Sequence, residues 1–157
     1  MTKTCEEQLI ATLAAKGLTL STAESCTGGG IGARITAVSG ASKVYLGGVI
    51  SYANEIKTAL LGVREETLLT VGAVSAEVAE QMARGARERL CTDYALSVTG
   101  LAGPGGATPQ KPSGLVYLGL ARPDGTVSTR RCFFSGDRDE IRTQSATAAL
   151  EWLLEEL

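Results

Sequence analysis

The sequence predicts a three-layer α/β/α sandwich built around a mixed, mostly parallel sheet with one antiparallel member. Three observations carry that expectation. Runs with helical apolar spacing alternate along the chain with short strand-like runs, and Pro123-Asp124-Gly125 joins two of those runs as a hairpin. The third is size: 157 residues, 44% of them hydrophobic but few aromatic, suffice for a core of Ala, Val, Leu and Ile. A single domain over residues 1–157 is expected, because no repeat, linker or low-complexity tract interrupts the pattern.

Taken in order, Thr4-Cys5-Glu6-Glu7 reads as a capping box opening a helix with Leu9, Ile10, Leu13 and Ala14 on one face, closed by Gly17. Leu18 to Glu24 alternates apolar and hydroxyl side chains and reads as the first strand. Ser25 to Gly30 is a glycine-rich turn leading into a helix that runs to about Ala37. Gly47 to Tyr52 reads as a strand, Ala53 to Leu61 as a short helix, and Arg64 to Leu69 as a further helical turn. Ser75 is an N-cap candidate for a long helix with Val78, Ala79, Met82, Ala86 and Leu90 on one face. Tyr94 to Thr99 is a short strand that enters a glycine- and proline-rich loop, Gly100 to Ser113. The hairpin strands are Gly114 to Arg122 and Val127 to Phe134. The last helix is expected from Asp137 to Leu157, with Ile141, Ala148, Leu150 and Leu153 in the core.

Composition removes several function classes. A formal net charge of −2 argues against a nucleic-acid binder, which needs a basic surface. No apolar run approaches the length of a bilayer span, and the N-terminus lacks the layout of a signal peptide, so the protein is expected in the cytoplasm with no membrane partner. Cys5, Cys26, Cys91 and Cys132 lie too far apart in sequence for a zinc motif or a compact disulfide framework. The most restrictive fact is that the chain contains no histidine. Ser-His-Asp and Cys-His arrangements are therefore excluded, along with imidazole-based metal sites. A nucleophilic mechanism must take its base from lysine, a carboxylate or tyrosine. No metal or other cofactor is expected.

Four segments are candidates for chemistry. In Thr22-Ala23-Glu24-Ser25-Cys26-Thr27-Gly28-Gly29, a serine ends a strand just before glycines and a helix, where α/β sheets place ligands. Ser25 suits an N-cap as well as a nucleophile, and the segment is not a GxSxG elbow. In Tyr52-Ala53-Asn54-Glu55-Ile56-Lys57, the lysine offers an amine base if burial lowers its pKa, although an isolated lysine more commonly sits on a solvated helix face. Thr99-Gly100-Leu101-Ala102-Gly103-Pro104-Gly105-Gly106 has the look of an anion-cradling loop but lacks the GKS or GKT of a P-loop. Arg138 and Arg142 lie four apart near the start of the last helix. That spacing suits gripping a phosphate, but taken alone it favours surface ion pairs with Asp139 and Glu140.

Together these segments resemble the C-terminal domain of the competence/damage-inducible CinA family and the stand-alone nicotinamide-nucleotide amidases related to it. The residues that carry the resemblance are Thr22 to Gly29, Gly48 to Lys57 with Gly62-Val63, Gly72 to Ser75, Thr99 to Gly106 with Lys111-Pro112, and Phe134 to Arg142. The resemblance implies the sandwich fold and hydrolysis of nicotinamide mononucleotide to nicotinic acid mononucleotide and ammonia, a reaction of pyridine-nucleotide recycling. It puts the nucleophile on Ser25 and the base on Lys57, with Tyr52 relaying protons or orienting the lysine. It assigns Glu24, Cys26, Thr27, Gly28, Asn54, Thr99, Gly100, Ala102, Gly103, Arg138 and Arg142 to the substrate site. Because the chain starts directly at this region, the stand-alone form is expected; association with further copies of itself stays open. Cys26 as nucleophile, a catalytically silent nucleotide-binding module, and an interaction protein acting in competence or recombination are the competing readings.

Overall fold

The computed structural model describes residues 2–157. Helix α1 (Cys5–Lys16) is capped by the Thr4 side chain and ends at Gly17, whose φ of 67° is left-handed. Leu18 does not begin the first strand as expected. Its N–H bonds back to Leu13 O at 3.0 Å, completing the helix terminus, so β1 (Leu20–Glu24) starts two residues later. Helix α2 (Gly30–Thr36) follows the glycine turn, and a short 3₁₀ turn over Ala41–Lys43, absent from the sequence expectation, leads to β2 (Tyr45–Ile50). Beyond it come α3 (Asn54–Leu61), α4 (Glu65–Val71) and α5 (Ala76–Leu90), the last capped by Ser75. Strands β3 (Tyr94–Gly100), β4 (Leu115–Ala121) and β5 (Val127–Phe133) precede α6 (Arg138–Glu156).

The five strands lie in the order β2-β1-β3-β4-β5. β1 pairs in parallel with β2 and β3, whereas β4 is antiparallel to both β3 and β5, so β4 alone opposes the common direction. Helices α1, α2 and α6 cover one face, burying Leu9, Leu13, Ile31, Ile35, Leu150 and Trp152 against Leu96, Val98, Leu118 and Leu120 of the sheet. Helix α5 lies on the other face with α3 and α4 packed on it, and there the sheet offers small side chains, Ala23, Ala95 and Ala121. In α6, Ala149 is fully buried where Ala148 was expected, because the buried face runs through Ile141, Ser145, Ala146, Ala149 and Leu150. Among the described residues, no helix is long and apolar enough to cross a membrane.

The small-residue face lets α5 approach the sheet closely. Ser97 Oγ donates to Ala79 O at 2.6 Å, and a Cβ placed on Gly119 would fall 2.5 Å from the same carbonyl. At the crossing of α3 and α5 a Cβ on Gly85 would sit 1.8 Å from Leu61 O, a contact that only backbone displacement relieves. Gly85→Ala is therefore expected to destabilise the fold by about 3 kcal/mol, at the upper end of ordinary overpacking. Urea denaturation of the variant checks this.

Candidate active site

The carboxyl ends of β1, β2 and β3 meet at a cleft, the usual ligand position in an open α/β sheet. Ser25 follows β1 directly, and its N–H is tied to Val98 O of β3 at 3.0 Å. It is not a helix cap. The N-cap position of α2 falls on Gly29, at φ 99°, so the serine hydroxyl is left to the cleft.

Lys57 reaches the same point from α3. The second strand ends at Ile50 rather than at Tyr52, because the chain turns away from the sheet once Ser51 N–H has bonded Glu24 O at 2.7 Å. That departure frees two carbonyls. Lys57 Nζ donates to Ser51 O at 2.6 Å and to Tyr52 O at 3.2 Å, and lies 3.0 Å from Ser25 Oγ. The lysine is only 1% exposed, and burial pushes its pKa below the usual lysine range, against a smaller opposing influence from Cys26. Carbonyls can only accept, so two Nζ hydrogens point at Ser51 and Tyr52. The third direction faces the serine. In the neutral amine this direction is the lone pair, and Ser25 O–H then donates to Nζ.

The remaining walls are Tyr52, Asn54, Thr99, Gly100, Ala102, Gly103 and Arg138, all expected from sequence, together with Ala73, Val74, Leu101 and Gly105. Thr99 Oγ1 donates to Ala73 O at 2.8 Å, which draws the segment between α4 and α5 over the cleft. Ala73 and Val74 had been noted only as part of a motif. Arg138 Nη1 donates to Gly103 O at 2.9 Å and Nη2 lies 3.3 Å from the hydroxyl of Tyr52, a residue 66% exposed at the mouth. The cleft, about 200 Å³, is smaller than the hollow of about 350 Å³ beside α5, but that hollow is lined by groups such as Arg64, Glu80 and Arg84 and holds no nucleophile–base pair.

Cys26 also lines the cleft, but its thiol is nearly buried and burial pushes its pKa up to about 11, despite nearby positive charge. It is a neutral thiol near pH 7, not the activated thiolate that a cysteine nucleophile requires. Four residues expected in substrate contact are placed elsewhere. Glu24 is 2% exposed and its carboxylate accepts from Thr27 Oγ1 (2.7 Å), Ile31 N–H (2.9 Å) and Gly32 N–H (3.0 Å), so both oxygens hold the turn onto α2. Thr27 is consumed by that same bond. Gly28 has its N–H on Ser25 O and faces Arg142 rather than the cleft. Arg142 donates through Nε to Cys26 O (3.0 Å) and through Nη2 to Thr27 O (3.1 Å), bracing the turn from α6. Among the described residues, no cluster of three His, Cys, Asp or Glu is arranged to hold a metal ion.

Fold and site define an α/β domain with a buried serine–lysine pair at the carboxyl ends of its parallel strands. Residues 2–157 match the CinA C-terminal domain, and the chain belongs to that family. A CinA-like protein from a Cyanothece strain is 58% identical over 141 residues, covering 88% of this chain and 34% of the relative. One from Citrifermentans bemidjiense is 52% identical over 148 residues, 94% of this chain and 36% of the relative. The chain thus spans about a third of the length of the curated relatives it matches. Among solved structures, the competence/damage inducible protein CihA from Agrobacterium tumefaciens superposes with a TM-score of 0.90 at 41% identity, covering 99% of this chain and 97% of that one. The competence damage-inducible protein A (ComA) from Klebsiella pneumoniae gives 0.93 at 34% identity, over 96% and 93% of the two chains.

Proposed function

We propose that the protein is an amidohydrolase that converts nicotinamide mononucleotide and water to nicotinic acid mononucleotide and ammonia, within pyridine-nucleotide recycling. The observation that carries this reading is the buried Lys57 Nζ, 3.0 Å from Ser25 Oγ with its other directions held by main-chain carbonyls. In a chain without histidine, such an amine is one of the few groups able to activate a serine. The choice of substrate rests on the motif resemblance, and is supported by a cleft mouth that presents an arginine for a phosphate and an exposed tyrosine for a pyridinium ring.

In the mechanism, Ser25 Oγ attacks the carboxamide carbon while its proton passes to Lys57 Nζ. The tetrahedral intermediate collapses as the lysine ammonium protonates the amide nitrogen, which leaves as ammonia, and the acyl group remains as an ester on Ser25. Water then attacks the ester, giving a proton to Lys57 and regenerating the serine hydroxyl as the acid product departs. Incubation with nicotinamide mononucleotide in the presence of a chelator should yield stoichiometric ammonia and the acid mononucleotide. Binding without ammonia would leave a silent nucleotide-binding module.

Arg138 is the arginine assigned to the phosphate. Nicotinamide riboside should be the poorer substrate, and Arg138→Ala should shrink the ratio of kcat/KM between the two by about tenfold or more, the value of one charge-assisted contact. An unchanged ratio would move phosphate recognition elsewhere.

A further inference from the structure

We infer that Arg142 is a positioning residue for the reaction proposed above, on which this inference rests. Its guanidinium, held on the carbonyls of Cys26 and Thr27, turns the peptide between those residues so that the Thr27 N–H, with that of Cys26, receives the oxyanion. The assignment starts with the N–H groups around the nucleophile. That of Ser25 bonds Val98 O and that of Gly28 bonds Ser25 O. The first-turn N–H groups of Ile31 and Gly32 are taken by Glu24, so the start of α2 is not available to an anion. The N–H groups of Cys26, Thr27 and Gly29 bond no other residue among the described residues, and the first two are the ones next to the nucleophile in the chain.

A trans peptide is planar, with its N–H antiparallel to its C=O. Fixing Cys26 O toward Arg142, at 3.0 Å from Nε, therefore points Thr27 N–H away from α6. Ser25 and Cys26 both line the cleft, whereas Arg142 does not. Thr27 is held at its other end by the bond from its hydroxyl to Glu24, so the peptide is gripped from two sides. The grip has work to do, because Gly28 and Gly29, both at positive φ, leave the turn free to rotate its peptides. With Nε and Nη2 on these carbonyls, the side of the guanidinium that faces the turn is occupied, and Nη1 lies 3.8 Å from the exposed Asp139 carboxylate.

Steady-state kinetics of Arg142→Ala and Arg142→Lys on nicotinamide mononucleotide test this. In Arg142→Ala, kcat should fall about a hundredfold, as for loss of an oxyanion donor, while KM changes by less than about threefold. The preference for mononucleotide over riboside should be retained, added guanidinium should restore part of kcat, and Arg142→Lys should recover less than guanidinium does. A second readout does not depend on the substrate: a fluorophosphonate probe, which phosphonylates Ser25 with loss of fluoride and places a phosphoryl oxygen where the oxyanion would be. Intact-mass measurement should show slower labelling of Arg142→Ala than of wild type. A wild type that is labelled but releases no ammonia would overturn the substrate reading and leave the role of Arg142 standing on the labelling rates. A wild-type kcat and labelling rate in Arg142→Ala, a loss confined to KM with collapse of the mononucleotide preference, or a rate loss that guanidinium does not relieve would each overturn the positioning role.

Discussion

Ser25→Ala is expected to lower turnover of nicotinamide mononucleotide by on the order of 10⁴-fold or more while leaving binding of the mononucleotide measurable, since the hydroxyl supplies the covalent step and little ground-state affinity. Lys57→Ala should produce a defect of similar size, and the double variant should be scarcely worse than either single one. The reason is geometric. Among the described residues, Ser25 Oγ is hydrogen-bonded to no base but Lys57, and the other partners of Lys57 Nζ are main-chain carbonyls, which cannot donate a proton. Residues that act as one unit are strongly non-additive. Cys26→Ala should retain most activity, because the thiol is protonated near neutrality. Comparing kcat for the four variants decides between the serine and the thiol, and an active Ser25→Ala beside an inactive Cys26→Ala would transfer the role to Cys26.

The pH profile of kcat/KM should fall about tenfold per pH unit on its acid side, with a midpoint below the ordinary lysine value of about 10.4. Burial disfavours the ammonium, so Lys57 releases its proton at a lower pH than a solvated lysine. The neutral amine is the competent base, and activity therefore rises with pH until that form predominates. The same displacement has a consequence for stability. Between the lowered folded value and the unfolded one, the unfolded chain binds more protons than the native protein, so this group's contribution to stability rises with pH across that window. In Lys57→Met that contribution to the slope should vanish, with the variant gaining on wild type at the acid end. Urea denaturation at several pH values measures it, and parallel slopes for the two proteins would contradict the role given to burial.

Much of the fold was legible because its signals are local. The capping box at Thr4, the Pro-Asp-Gly hairpin and the Asp137 cap with Glu140 each specify a boundary from neighbouring residues alone. The edges that moved were decided at a distance. Leu18 joins the end of α1, and Ser51 and Tyr52 leave the sheet to offer carbonyls to a lysine that no strand pattern announces. The serine–lysine pair spans 32 residues, so no spacing rule finds it; the absence of histidine and the motif resemblance did. The resemblance put Glu24 in the site with Ser25, although strand alternation sets it on the opposite face, with Leu20 and Thr22. The resemblance gave the two arginines one shared role, whereas one helical turn separates a residue at the cleft mouth from one behind the turn.

The start of α6 bears both of those arginines within its first turns, under the reciprocal cap of Asp137 and Glu140. Local opening there would release Gly103, Cys26 and Thr27 from their guanidinium partners in one event. Loss of such a cap costs about 1 kcal/mol, roughly a fivefold rise in the open population. Amide hydrogen exchange at the head of α6 should therefore quicken in Asp137→Ala together with exchange in the Ser25–Gly28 turn and the Gly103 loop, marking three segments distant in sequence as one cooperative unit.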